Sequence, residues 1–164
     1  MTDYRLVWFQ HLHKAAGTYV IRRAMANGET FWPEHSNGNP RVDGQLVPLW
    51  EMSSDQLTSF IDECEKKGVT FVACEWGGPD FQTLANDERV TLLTCMRQPI
   101  KRFISNYNYD HYLVLTKAAS YAEYLRDGQL HSSPEYYTKI FARGKLDPVS
   151  YTHLRAHETA LDLV

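Results

Sequence analysis

The chain predicts an α/β fold with a mainly parallel central sheet, on three observations. Short apolar runs alternate with segments of helical period, the pattern of strand and crossover helix repeated. Two of the runs, "VTFVACE" (Val69 to Glu75) and "RVTLLTCMR" (Arg89 to Arg97), are almost continuously apolar, as expected of parallel strands buried on both faces. Each run also ends in turn chemistry, after which a helical pattern restarts at once.

The elements follow in order. Tyr4 to Leu12 reads as a buried strand, and Gly17 to Asn27 as a helix stopped by Gly28. Gly28 to Met52 mixes Gly, Pro and Asn with scattered aromatics and no steady period; it predicts a long loop, a candidate lid or substrate loop, since irregular segments of that length are uncommon. Ser53 with Gln56 forms a capping-box pattern opening a helix to Lys67, and Gly68 stops it. After the strand at Val69 to Glu75, "GGPD" (Gly77 to Asp80) is turn chemistry. Pro99 stands where a first-turn proline belongs, and "IKRFISNYNYDHYLVL" continues as a helix. Ser133 and Pro134 open a last helix to about Ala142.

Composition narrows the function classes. With 164 residues, 43% hydrophobic and 13% aromatic, the chain is able to bury one sizeable core. Its formal net charge of −3 gives no global attraction to nucleic acid or an anionic membrane, so an anion site has to be built locally. No stretch approaches the roughly 18 apolar residues of a membrane span, and the N-terminus lacks a signal-peptide profile. Cys64, Cys74 and Cys95 follow no metal-ligand spacing, and with Cys74 and Cys95 inside apolar runs they read as buried free thiols. The absence of an Asn-x-Ser/Thr sequon disfavours a glycosylated lumenal protein.

The stretch "FQHLHKAAGTYVIRRAM" (Phe9 to Met25) puts a lysine, a glycine and a threonine where a strand turns into a helix. In α/β folds ligands sit at the carboxyl ends of strands, where helix N-termini offer free N–H groups and partial positive charge. Lys14, Gly17 and Thr18 there supply an ammonium, close backbone approach and a hydroxyl, suited to phosphate or sulfate. A tight connection with a solvated lysine explains the same residues, and the pattern GxxxxGK[ST] is absent, so both readings stand at this point.

"HLHKAAGTY" resembles the 5′-phosphosulfate loop of the sulfotransferase family, whose carbohydrate-directed members commonly read His-x-Pro-Lys-Thr-Gly/Ala-Gly-Thr-Ser after the first strand. Lys14, Gly17 and Thr18 match, while His13 replaces the proline and Tyr19 a small hydroxyl residue. "LLTCMRQPIKRFISNYNY" resembles the family's 3′-phosphate motif, a strand ending in Arg-Asp-Pro followed by Arg-Phe and a serine eight positions after the first arginine. Arg97, Pro99, Arg102, Phe103 and Ser105 match, with Gln98 in place of the acid. The second motif is the more specific, and its chemistry is independently intelligible. A strand-end arginine offers a bidentate fork, and a hydroxyl two turns along the following helix can join it.

The resemblance implies a three-layer nucleotide-binding fold, truncated at its C-terminus, and transfer of a sulfuryl group from 3′-phosphoadenosine 5′-phosphosulfate (PAPS) to a hydroxyl, most naturally of a carbohydrate. It implies no metal. Lys14, Ala16, Gly17, Thr18 and Tyr19 would hold the phosphosulfate end, and Arg97 and Ser105 the 3′-phosphate. Lys14 would stabilise charge on the departing phosphate, and Glu75, at a strand end where the family carries its base, would accept the acceptor's proton. Trp76 is a candidate sugar-binding surface or a core aromatic, and His13 a competing base or a turn histidine. No nucleic-acid partner is implied. The family is compatible with the Golgi lumen if a further N-terminal segment exists, and with the cytoplasm otherwise. A nucleotide kinase would share the strand-loop-helix site but needs a magnesium-binding acid. A non-catalytic glycan-binding module would need neither Lys14 nor Arg97.

The end of the chain reads differently. Val149 to Thr159, "VSYTHLRAHET", resembles the translation of a common transposase sequencing adapter, and Asp162 to Val164 fit its continuation. Residues 1–148 are therefore expected to be a partial sulfotransferase domain and residues 149–164 a non-native tail. His153 and His157, which invite a metal-pair reading at helical spacing, fall within that tail and are set aside.

Overall fold

The computed structural model describes residues 4–126, 129–133 and 135–142. Its centre is a three-stranded parallel sheet in the order β5-β1-β6, where β1 is Leu6–Gln10, β5 is Phe71–Cys74 and β6 is Val90–Thr94. The register pairs Val7 with Phe71 and Thr91, and Gln10 with Cys74 and Thr94, so all three strands end at one level. The chain visits one side of β1 and then the other, which makes the carboxyl end of β1 a topological switch point.

Alternation along β1 and β5 builds two cores. Leu6, Trp8, Val72 and Cys74 face α2 (Ser54–Lys67) and α3 (Phe81–Asn86), meeting Leu57, Phe60, Ile61, Cys64 and Leu84. Phe9, Phe71 and Ala73 face the other way, onto Ile21 and Ala24 of α1 (Gly17–Ala26). Both helices end as their sequences predict. Gly28 and Gly68 take left-handed backbone, and Ser53 and Gln56 close a complete capping box at the start of α2. Asp80 caps α3, an element absent from the sequence-based expectation, through the amides of Gln82 and Thr83.

Four other expectations are corrected. The predicted loop from Gly28 to Met52 contains an antiparallel meander of β2 (His35–Ser36), β3 (Asn39–Val42) and β4 (Gln45–Leu46), joined through Asn37-Gly38 and Asp43-Gly44 with positive φ throughout. The meander is docked on the sheet, where the Gly38 carbonyl accepts from the Ala73 N–H. The strand β6 is not buried on both faces. Its only pairing among the described residues is with β1, and Leu92 and Leu93, on opposite faces, are each 42% exposed. The helix α4 spans Pro99–Tyr112 and stops short of Leu115, because Val114 takes φ 57°. The last helix begins later than expected: α5 (Tyr121–Leu125) and a 3-10 turn (Leu130–Ser132) precede α6 (Tyr136–Ala142), while Pro134 lies outside the described residues. The tail from Val149 also lies outside them. Cys64 and Cys74 are buried free thiols, and Cys95 is free and half-buried.

No helix among the described residues is long and apolar enough to cross a membrane.

Candidate functional site

A cavity of about 1060 Å³ opens at the carboxyl ends of the three strands. The loop leaving β1 forms its first wall. Leu12 and Ala15 are buried and anchor that loop, whereas Lys14 (φ 59°) and Ala16 (φ 68°) take left-handed backbone that costs non-glycine residues on the order of 1 kcal/mol each. The strained turn is held by its neighbours: the Lys14 carbonyl accepts from Arg97 Nη1 at 3.4 Å, and the Ala15 carbonyl accepts from the Cys95 thiol. No side chain caps α1; the Tyr19 N–H is taken up by the Ala16 carbonyl, which leaves the amides of Gly17 and Thr18 for a ligand. A Cβ at Gly17 would lie 1.8 Å from the His11 ring, so this glycine is required by the packing of His11 as much as by any ligand. The Lys14 ammonium rests over the Tyr109 ring of α4, 3.8 Å from its centroid.

The end of β5 supplies the second wall. Glu75 is fixed from the meander, where Asn39 Oδ1 accepts from the Glu75 N–H at 2.9 Å. Its carboxylate lies 3.4 Å from His11 Nδ1 and 3.6 Å from His13 Nδ1. Burial lowers the pKa of His11 to about 4 and, with the nearby cationic and imidazole groups adding to it, that of His13 also to about 4. At neutral pH both rings are therefore uncharged, and their contacts with Glu75 are not ion pairs. Burial raises the pKa of Glu75, opposed by hydrogen bonds from Asn39 and Asn37 and by the charge of Lys14. A carboxyl raised in this way is a stronger base than a solvated one. Trp76 is half-exposed at the rim, edge-on to the His13 ring.

The third wall comes from β6 and α4. Arg97 follows the strand and Ser105 lies on the cavity side of the helix; together with Lys101 they also line a smaller adjoining hollow of about 270 Å³. Arg102, five residues after Arg97, is buried and structural: it donates to the carbonyls of His131 and Ser133 and lies over the Tyr136 ring. Burial lowers its pKa, with the neighbouring tyrosines opposing the shift. Beyond it, the Tyr124 hydroxyl donates to Asp110 and accepts from Asn106, a buried polar group that joins α4 to α5.

Of the residues predicted from sequence, Lys14, Ala16, Gly17, Thr18, Glu75, Arg97 and Ser105 line the one cavity. Tyr19 does not; it is 66% exposed on α1. Sequence reasoning missed Asn37, Tyr109, Asp110 and His131, all of which line it. Tyr109 was within reach, since it stands one helical turn beyond Ser105 on the same face. Among the described residues, no group of three or more His, Cys, Asp or Glu side chains is arranged to hold a metal ion.

Comparison with known proteins returns no matching family model, no similar curated protein and no similar solved structure.

Proposed function

We propose that the chain is part of a PAPS-dependent sulfotransferase with a three-layer nucleotide-binding fold, acting on a hydroxyl of a carbohydrate. The observation that carries this reading is convergence. Two loops separated by some eighty residues, one bearing Lys14 and the other Arg97, are in direct contact and face a single cavity, which Glu75, from the end of β5 on the far side of β1, also lines.

The residues present suit a nucleotide with an anionic group at each end. Lys14, Thr18 and the open amides of α1 are a donor set for a phosphosulfate, and Arg97 with Ser105, extended by Lys101, for a 3′-phosphate. The PAPS donor supplies the activated sulfuryl group. Lys14 leaves the Tyr109 ring to neutralise charge that develops on the departing phosphate oxygen. Glu75 accepts the proton of the attacking hydroxyl, and Trp76 at the rim offers a flat apolar surface for a sugar ring. His11 and His13, held neutral, add no positive charge beside Glu75, so that Lys14 is the cation opposing its raised basicity.

Calorimetric titration of the chain with 3′-phosphoadenosine 5′-phosphate, without metal, tests the reading. Binding is expected, and Arg97→Ala should weaken it by about 1.5 to 3 kcal/mol, far more than it weakens adenosine 5′-phosphosulfate, which lacks the 3′-phosphate. Absence of binding, or a requirement for magnesium together with preference for ATP, would overturn the assignment.

A further inference from the structure

The short helix α6 lies across the loops that follow all three parallel strands, and it touches each through a different group. The Tyr136 hydroxyl accepts from the His13 N–H at 3.0 Å, in the loop after β1. The Tyr137 hydroxyl donates to the Arg97 carbonyl at 2.7 Å and accepts from the Arg97 N–H at 3.1 Å, in the loop after β6. The Ile140 carbonyl packs on Gly78, in the loop after β5, so closely that a Cβ there would lie 2.0 Å from it.

These contacts are built on a rigid base. Tyr136 and Ile140 are buried with Leu12 and Ala15 in a cluster of their own. The buried Arg102 guanidinium lies 4.3 Å from the Tyr136 ring centroid and 5.6 Å from that of Tyr137, and it ties the segment before α6 through the carbonyls of His131 and Ser133. Both rings are thus braced from α4 and pack on the loops, while their hydroxyls bond the loop backbone.

We propose that Tyr136 and Tyr137 are positioning residues, one for each anion-binding loop, which set the distance between the loop of Lys14 and the loop of Arg97. Neither ring is needed to touch the ligand. Tyr136 fixes the backbone immediately before Lys14, and Tyr137 grips both backbone groups of Arg97 itself. Resting on the sulfotransferase reading, the inference assigns Tyr136 to the 5′ end of the nucleotide and Tyr137 to the 3′ end.

The test is a crossed one. Tyr136→Phe and Tyr137→Phe keep both rings and the contact with Arg102 and remove only the hydroxyls. Binding of adenosine 5′-monophosphate and adenosine 3′-monophosphate is measured by competition against 3′-phosphoadenosine 5′-phosphate, and amide hydrogen exchange is followed in residues 11–19 and 95–101. Tyr137→Phe should weaken the 3′-monophosphate about five-fold and leave the 5′-monophosphate unchanged, and Tyr136→Phe should do the reverse. Exchange should accelerate only in the loop that each hydroxyl contacts. Equal weakening of both monophosphates, or no weakening, overturns the proposal even where the wild type binds both. A wild type that binds none of the three nucleotides overturns the sulfotransferase reading instead. The exchange pattern then decides the positioning role alone: confined to the contacted loop it supports that role, and spread over both loops it defeats it. Should Tyr136→Phe fail to fold, the Tyr137→Phe half stands or falls by itself.

Discussion

Glu75 shows how a single residue acquires a role from its surroundings. Its backbone is held by Asn39, its carboxyl is half-buried beside two neutral imidazoles, and the balance of desolvation over hydrogen bonding raises its pKa. If it accepts the acceptor's proton, Glu75→Gln lowers sulfuryl-transfer turnover by roughly 10²- to 10⁴-fold and leaves bisphosphate affinity nearly intact. His13→Asn acts mainly on donor affinity, through the loop it shares with Lys14. Steady-state turnover measured beside bisphosphate affinity separates the two. Loss of turnover in His13→Asn with affinity preserved, while Glu75→Gln stays active, would transfer the role of base to the histidine. At this scale much of the site was legible. Lys14, Glu75 and Arg97 stand just after strands and Ser105 on the following helix, and the sulfotransferase-like motifs single them out where residue type alone leaves other readings open. Gly17 was legible as a necessary glycine but for an incomplete reason, because the His11 ring beneath it becomes visible only when β1 and α1 are packed. Tyr19 illustrates the converse: a family-like position carries a bulky ring that the helix turns towards solvent.

Elements with strong local signals formed where the sequence placed them. The capping box of α2 is the clearest, with Ser53 accepting from the Gln56 N–H and the Gln56 side chain accepting from the Ser53 N–H. Ser53→Ala should destabilise the protein by about 1 kcal/mol, read as a shift in the denaturant midpoint at constant slope. The meander was misread although its signals were present. Asn37-Gly38 and Asp43-Gly44 are strong hairpin turns, but the strands they join are two to four residues long, too short to show an alternating pattern. What holds them is not propensity but docking: Trp32 Nε1–H donates to the Arg41 carbonyl, and Gly38 approaches Ala73 too closely for a side chain to intervene. The continuous apolar run of β6 was misread for the opposite reason. Composition establishes that Val90 to Thr94 makes a good strand, but not how many neighbours it has.

Across the whole molecule, the histidines make stability depend on pH in a definite direction. His11 and His13 have pKa values lowered from 6.5 to about 4 by burial, so the folded state holds fewer protons than the unfolded one between those limits. Their contribution is complete above about pH 6.5 and is lost as pH falls towards 4, on the order of 3 kcal/mol for each ring at one pKa unit per 1.36 kcal/mol. Glu75 works in the opposite sense: its raised pKa favours the folded state below 4.5, offsetting part of the loss. The melting temperature should therefore drop steadily from pH 7 to pH 4, and less steeply in His13→Asn. A flat profile would mean that the imidazoles are not held neutral. Such coupling could not be read from sequence, since the three groups are brought together only by the parallel register of β1 and β5.

The half-exposed strand β6 has a practical consequence for the protein in solution. Its outer edge pairs with no further strand among the described residues, is flanked by leucines on both faces and carries no charged side chain from Val90 to Met96. Such an edge is a template for strand addition between molecules, and it lacks the lysines and prolines that usually guard one. Light scattering under mild warming should rise with protein concentration well below the melting temperature. Thr91→Lys, at an exposed position that removes no leucine, should suppress this association without lowering the melting temperature. Scattering unchanged by the lysine would place the sticky surface elsewhere. The five-residue strand whose carboxyl end leads into Arg97 is thus also the edge expected to limit the colloidal stability of the protein.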